Sequence, residues 1–72
     1  MKLIKILEII PNEDGTAKYN RVYLNPQHIT LVTPTQNNRY TKIGWIPNGL
    51  TNSLITDEPI VDIVERINKA LK

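Results

Sequence analysis

Cysteine is absent from this chain, and histidine occurs once, at position 28. The first absence excludes disulfides and thiolate-held metals. The second leaves His28 without another imidazole for a zinc site. Glycines are few. Gly15, Gly44 and Gly49 stand far apart, whereas a phosphate-cradling loop needs them clustered before a helix. No apolar run approaches the roughly 20 residues of a membrane-spanning helix. The opening MKLIKILEII is broken by Lys5 and Glu8 and leads into Pro-Asn-Glu-Asp, unlike the uninterrupted core and small-residue cleavage site of a secretory signal. The expectation is a cytoplasmic protein without membrane insertion, and a cysteine-free chain fits a reducing compartment.

Net charge is also small, +2 over 72 residues, too little to imply a nucleic-acid partner. Basic residues gather early (Lys2, Lys5, Lys18, Arg21, Arg39, Lys42) and acids late (Asp57, Glu58, Asp62, Glu65). An ordinary solvated surface accounts for that distribution. The length allows a single domain, residues 1–72, with a thin core. For so short a chain, apolar burial set against about 1.5 kcal/mol of ordering cost per residue comes out near zero. Without disulfide or metal, self-association or a very well packed core must make up the difference.

What is present is strand pattern and turn chemistry. Residues 1–10 read as a strand, with Ile4, Ile6 and Ile10 on one parity and Leu3, Leu7 and Ile9 on the other. Apolar residues on both parities predict that both faces are at least partly covered. Pro11 to Thr16 is a turn cluster in which Asp14-Gly15 supplies the positive φ of a tight reversal. Residues 19–24 alternate, Val22 and Leu24 against Tyr19, Arg21 and Tyr23. Asn25-Pro26 then forces a corner: Pro26 lacks an N–H and holds Asn25 extended, and Asn25 can bond its own backbone. The chain resumes as a strand over 29–33, with Ile29, Leu31 and Thr33 expected on one face, and Thr33-Pro34 ends it. A fourth strand covers 39–46, with Thr41, Ile43 and Trp45 sharing a face, and Gly44 marks a bulge or a close approach. Asn48-Gly49 is a hairpin signal. A two-residue turn there sets Ile43 opposite Leu54 and begins a fifth strand over 50–56.

The helix is expected over 58–71. Asp57 or Glu58 is read as its cap and Pro59 as part of its first turn. Ile60, Ile63, Val64, Ile67, Ala70 and Leu71 form one apolar stripe, with Asp62, Glu65, Arg66 and Lys69 pointing away. Acids at its start and Lys69 and Lys72 at its end suit the macrodipole. The fold class is therefore α+β: an antiparallel β-meander of four to five strands with a C-terminal amphipathic helix packed on the sheet.

In this order, Leu24-Asn25, Ile29, Thr33-Pro34, Asn48-Gly49 and the run Glu58 to Ile67 resemble the small FlbD-type (SwrD) flagellar proteins, over most of the chain. Here the first hairpin, and the segment between Asn-Gly and the helix, are longer than in that family. The resemblance implies the same layout and a non-catalytic accessory role in flagellar motor function. Small phage and mobile-element proteins share the layout.

No constellation of catalytic residues stands out. A general base needs a positioned partner, and His28 in its corner has none at a telling spacing. Asp57 and Glu58 are accounted for as helix-start residues. The expectation is no enzyme, no cofactor and no metal ligand. A non-catalytic accessory or regulatory protein remains, one that binds a protein partner and forms a homo-oligomer through its second sheet face or an edge strand. Trp45, Pro47, Asn48 and Leu50 are its candidate partner contact, since Trp is over-represented among interface anchors. Alternatively Trp45 packs under the helix, against Ile63 or Ile67. A second class is a nucleic-acid binder, less favoured, using Arg21, Tyr23, Arg39, Tyr40 and Lys42 as a basic aromatic face. A phage-encoded inhibitor of a host protein is a third.

Overall fold

The computed structural model describes residues 2–35, 38–46 and 52–72. Its elements are strands β1 (Ile4–Pro11), β2 (Ala17–Leu24), β3 (Ile29–Pro34), β4 (Thr41–Trp45) and β5 (Asn52–Thr56), then helix α1 (Ile60–Leu71). A single 3-10 turn, Pro26–His28, joins β2 to β3. The five strands form one antiparallel sheet in the order β2-β1-β5-β4-β3. The α+β layout with a terminal helix is the expected one. β2 and β3 are consecutive without being neighbours; the sheet joins a β1–β2 hairpin to a β3-β4-β5 meander, and Glu8 opposite Thr56 links the two.

That order forces curvature. Four strand spacings of about 4.8 Å would hold the edges of a flat sheet about 19 Å apart. Yet Leu24 on one edge and Ile29 on the other are joined by four residues, three of them in a 3-10 turn that rises about 2 Å per residue. The sheet must curl for its edges to be joined so briefly. The corner itself follows its sequence. Asn25 is extended (φ −76°, ψ 115°), its Oδ1 accepts the Gln27 N–H at 3.0 Å, and Pro26 opens the turn and is buried.

The concave side holds the core: Ile4, Ile6, Leu24, Ile43, Leu54 and Ile63, flanked by Val22, Ile29, Val32, Trp45, Ile67 and Ala70. Ile43 lies opposite Leu54, and Thr41, Ile43 and Trp45 share the inner face of β4, as the alternation predicts. Helix α1 lies against β1, β3 and the corner, with Ile63 fully buried.

Four expectations are corrected. In β3 the register shifts between Ile29 and Leu31, so Val32 rather than Leu31 turns to the core. An inserted residue resets the two-residue period. Leu31 lies instead over Gly44, where a Cβ would come within 3.3 Å of Leu31 Cβ. Neither Asp57 nor Glu58 caps α1. Pro59 occupies the cap with extended backbone and no side-chain bond, its carbonyl accepting from Asp62 and Ile63. Arg66 does not point away, because it reaches back to β1. The apolar stripe of α1 is only partly used, since Val64 and Leu71 stay exposed beside the buried Ile63.

Candidate functional site

Two surfaces carry the distinctive chemistry. The first is a polar knot where β1, β4, β5 and α1 meet. Thr41 and Thr56 pair across β4 and β5, and both are buried. Thr41 Oγ1 donates to the Glu58 carbonyl at 3.0 Å, and the Glu58 N–H donates to Thr56 Oγ1 at 3.2 Å. These bonds aim the Glu58 side chain at β1. Its Oε1 accepts the Leu7 N–H at 2.9 Å, and its Oε2 accepts from Arg66 Nη2 in an ion pair. Arg66 Nη1 also donates to the Lys5 carbonyl at 3.0 Å. Partial burial pushes the Glu58 carboxyl up, but Arg66, the Leu7 N–H and Lys5 outweigh it and hold the group below its ordinary 4.5. Each carboxylate oxygen accepts one protein donor, so the group works as a clasp between α1 and β1.

Beside the knot, a groove of about 770 Å³ runs along Leu3, Lys5, Leu7, Arg21, Glu58 and Arg66. The β1–β2 register explains its lining: Lys5 lies opposite Tyr23, Leu7 opposite Arg21 and Ile9 opposite Tyr19, so these residues share the outer face. Tyr23 is 58% exposed. Tyr19 donates to Asp57 Oδ2 at 3.2 Å, and that carboxylate holds the phenol above its usual 10.

The second surface is the outer side of α1, a groove of about 570 Å³ lined by Ile60, Val61, Val64, Glu65, Asn68, Lys69 and Lys72. Val61 is 68% exposed, Leu71 49% and Val64 42%. Glu65 and Lys69 bridge at 3.3 Å along its rim.

The sequence-derived candidates fall in different places. Trp45 is half-buried and packs against the core cluster. Pro47, Asn48 and Leu50 lie outside the described residues. Arg21 and Tyr23 are together on β2. Lys42 is exposed on β4, with Arg39 and the half-buried Tyr40 just before that strand. β1 and β5 intervene between β2 and β4, so the five residues form no continuous row. His28 closes the corner turn, its backbone N–H donating to the Asn25 carbonyl. Among the described residues no acidic, His or Cys cluster is placed to hold a metal, and no helix is long and apolar enough to cross a membrane.

The Glu58–Arg66 clasp escaped the sequence reading because the two residues are eight apart and only one is helical. One signal was present. Arg66 is three residues from Ile63 and four from Ala70, so it flanks the buried stripe. Comparison with known proteins yields no match to a family model, a curated protein or a solved structure.

Proposed function

We propose that this chain is a non-catalytic interaction protein that works as an assembly of its own copies and presents the assembly to a protein partner. The observation that carries the reading is the exposed apolar row on α1, which leaves Val61, Val64 and Leu71 in water beside a well-buried Ile63. Contiguous exposed apolar residues on one face mark contact surfaces more often than scattered ones do. The engagement of both Glu58 oxygens by Leu7 and Arg66 supports a structural role for this polar group. A flagellar accessory role falls within this reading. Light scattering across a concentration series tests it: the mass should rise above that of one chain at tens to hundreds of micromolar, and a strict monomer throughout would overturn it.

A second reading, single-strand nucleic-acid binding, is favoured by one observation: Lys5, Arg21 and the exposed Tyr23 share the outer face of the β1–β2 hairpin. Base stacking on Tyr23 between flanking cations is the mode such a face supports. Gel shift with labelled single strands at low salt tests this alternative; an absent or salt-insensitive shift disposes of it.

A further inference from the structure

Two strands lie at the edges of the sheet, β2 and β3, and their backbones differ. The Leu7 N–H and the Lys5 carbonyl turn to the clasp, away from β2. By alternation Ile4, Ile6, Glu8 and Ile10 bond β2, at Leu24, Val22, Asn20 and Lys18. The Asn12 N–H, which donates to the Thr16 carbonyl at 2.8 Å, continues that parity. Ala17, Tyr19, Arg21 and Tyr23 therefore direct their N–H and C=O groups outward, along a strand without proline or register shift. On β3 the Thr35 N–H donates to the Tyr40 carbonyl, so Val32 and Pro34 face outward. Pro34 has no N–H, and the register shift between Ile29 and Leu31 breaks the rest of that edge. β2 is thus the edge that can accept another strand.

Charge selects what joins it. The charged residues of β2 are Lys18 and Arg21, both exposed, and neither has an ion-pair partner among the described residues. Lys5 adds a further cation on the outer face near Arg21. β2 holds no acid, so no register of β2 against β2 in a second copy sets one opposite either cation. We propose that the β2 edge takes an extended acidic segment of a protein partner as an added antiparallel strand. This rests on the interaction reading above and names the chemistry of the partner. A guest residue directly opposite Arg21 stands on the outer face, between those opposite Tyr19 and Tyr23. Both tyrosines are exposed. The matching segment thus carries an acid flanked at alternate positions by apolar side chains, with a second acid opposite Lys18. Such a contact is small beside the roughly 1,200 Å² of standard stable interfaces, so the complex is weak and reversible.

An isotope-labelled full chain titrated with the peptide Val-Thr-Glu-Thr-Val-Glu, followed by nuclear magnetic resonance, decides the matter. The acids of the peptide fall opposite Arg21 and Lys18, and its valines opposite Tyr23 and Tyr19. The amide signals of Tyr19, Arg21 and Tyr23 are expected to shift and to gain protection from hydrogen exchange. N-methylating the peptide at the residues opposite Arg21 and Tyr19, which leaves its charge intact, should abolish binding. Arg21→Glu should weaken binding about fivefold with an unchanged circular dichroism spectrum, and lysine in place of the facing glutamate of the peptide should restore it. Amides that stay unmoved at millimolar peptide overturn the site, while the mass series above judges self-association separately. Equal binding of the N-methylated peptide overturns strand addition. Oligothymidylate that binds as tightly, without protecting these amides, overturns the protein partner and favours the nucleic-acid reading. Protection that grows with protein concentration alone seats a second copy on this edge and overturns the acidic guest.

Discussion

Ile63 and Val61 are two residues apart on α1, and both are β-branched and apolar, yet Ile63 is fully buried and Val61 is among the most exposed apolar side chains described. The two ion pairs of the same region divide in the same way. Glu58–Arg66 is half-buried and ties the start of the helix to β1, whereas Glu65–Lys69 lies in water four residues apart on the rim. Residue type does not separate the two sides. Position relative to the curled sheet does, because only the side facing β1, β3 and the corner meets other atoms. The outer side leaves Val61, Val64 and Leu71 in water.

The comparison is broken most sharply by truncating each side in turn. Ile63→Ala should cost about 2–5 kcal/mol, from lost burial plus the cavity left among Ile6, Ile43 and Leu54. Val61→Ala, measured at a concentration too low for association, should change stability by less than about 0.5 kcal/mol. Urea unfolding followed by Trp45 fluorescence reads both, and equal losses would show that the two sides do not differ.

Next comes the clasp. Glu58→Ala leaves the Leu7 N–H and the Arg66 guanidinium without their acceptor, at a cost of about 2–3 kcal/mol. Its pH dependence has a definite sign. The Glu58 carboxyl lies below 4.5 in the folded chain, so its contribution is complete above the unfolded value and is lost as pH falls through the lower folded one. The intact chain should therefore lose stability below about pH 4.5, and Glu58→Gln should flatten that part of the curve. Coincident acid curves for the two proteins would deny Glu58 this role. The smallest effect belongs to the exposed pair. Glu65→Gln should shift the monomer by no more than about 0.5 kcal/mol, and a thermal melt in low and high salt suffices to see it.

Local signals made much of the architecture legible. The Asp14-Gly15 reversal, with Gly15 at φ 88°, the Asn25-Pro26 corner, and the Ile43–Leu54 pairing all depend on residues near one another along the chain. So does the existence of α1, whose apolar period survives any context. The misreadings share another cause. The bulge at Thr30 depends on what β4 offers opposite, namely the space above Gly44. Glu58 at a helix start looks like a cap until the fold brings the Leu7 N–H of β1 and Arg66 to its carboxylate.

The amino-acid order alone therefore settled which segments are strands, that Asp14-Gly15 and Asn25-Pro26 turn the chain, and that an amphipathic helix follows the last strand, because backbone sterics and side-chain period act over a few residues; the expected Asn48-Gly49 turn lies outside the described residues. Only the folded sheet decided that β1 joins β5, that Glu58 and Arg66 close over Lys5 and Leu7, and which part of the helix's apolar surface stays in water. Those outcomes depend on distances between residues remote in sequence, and a linear pattern carries no distances.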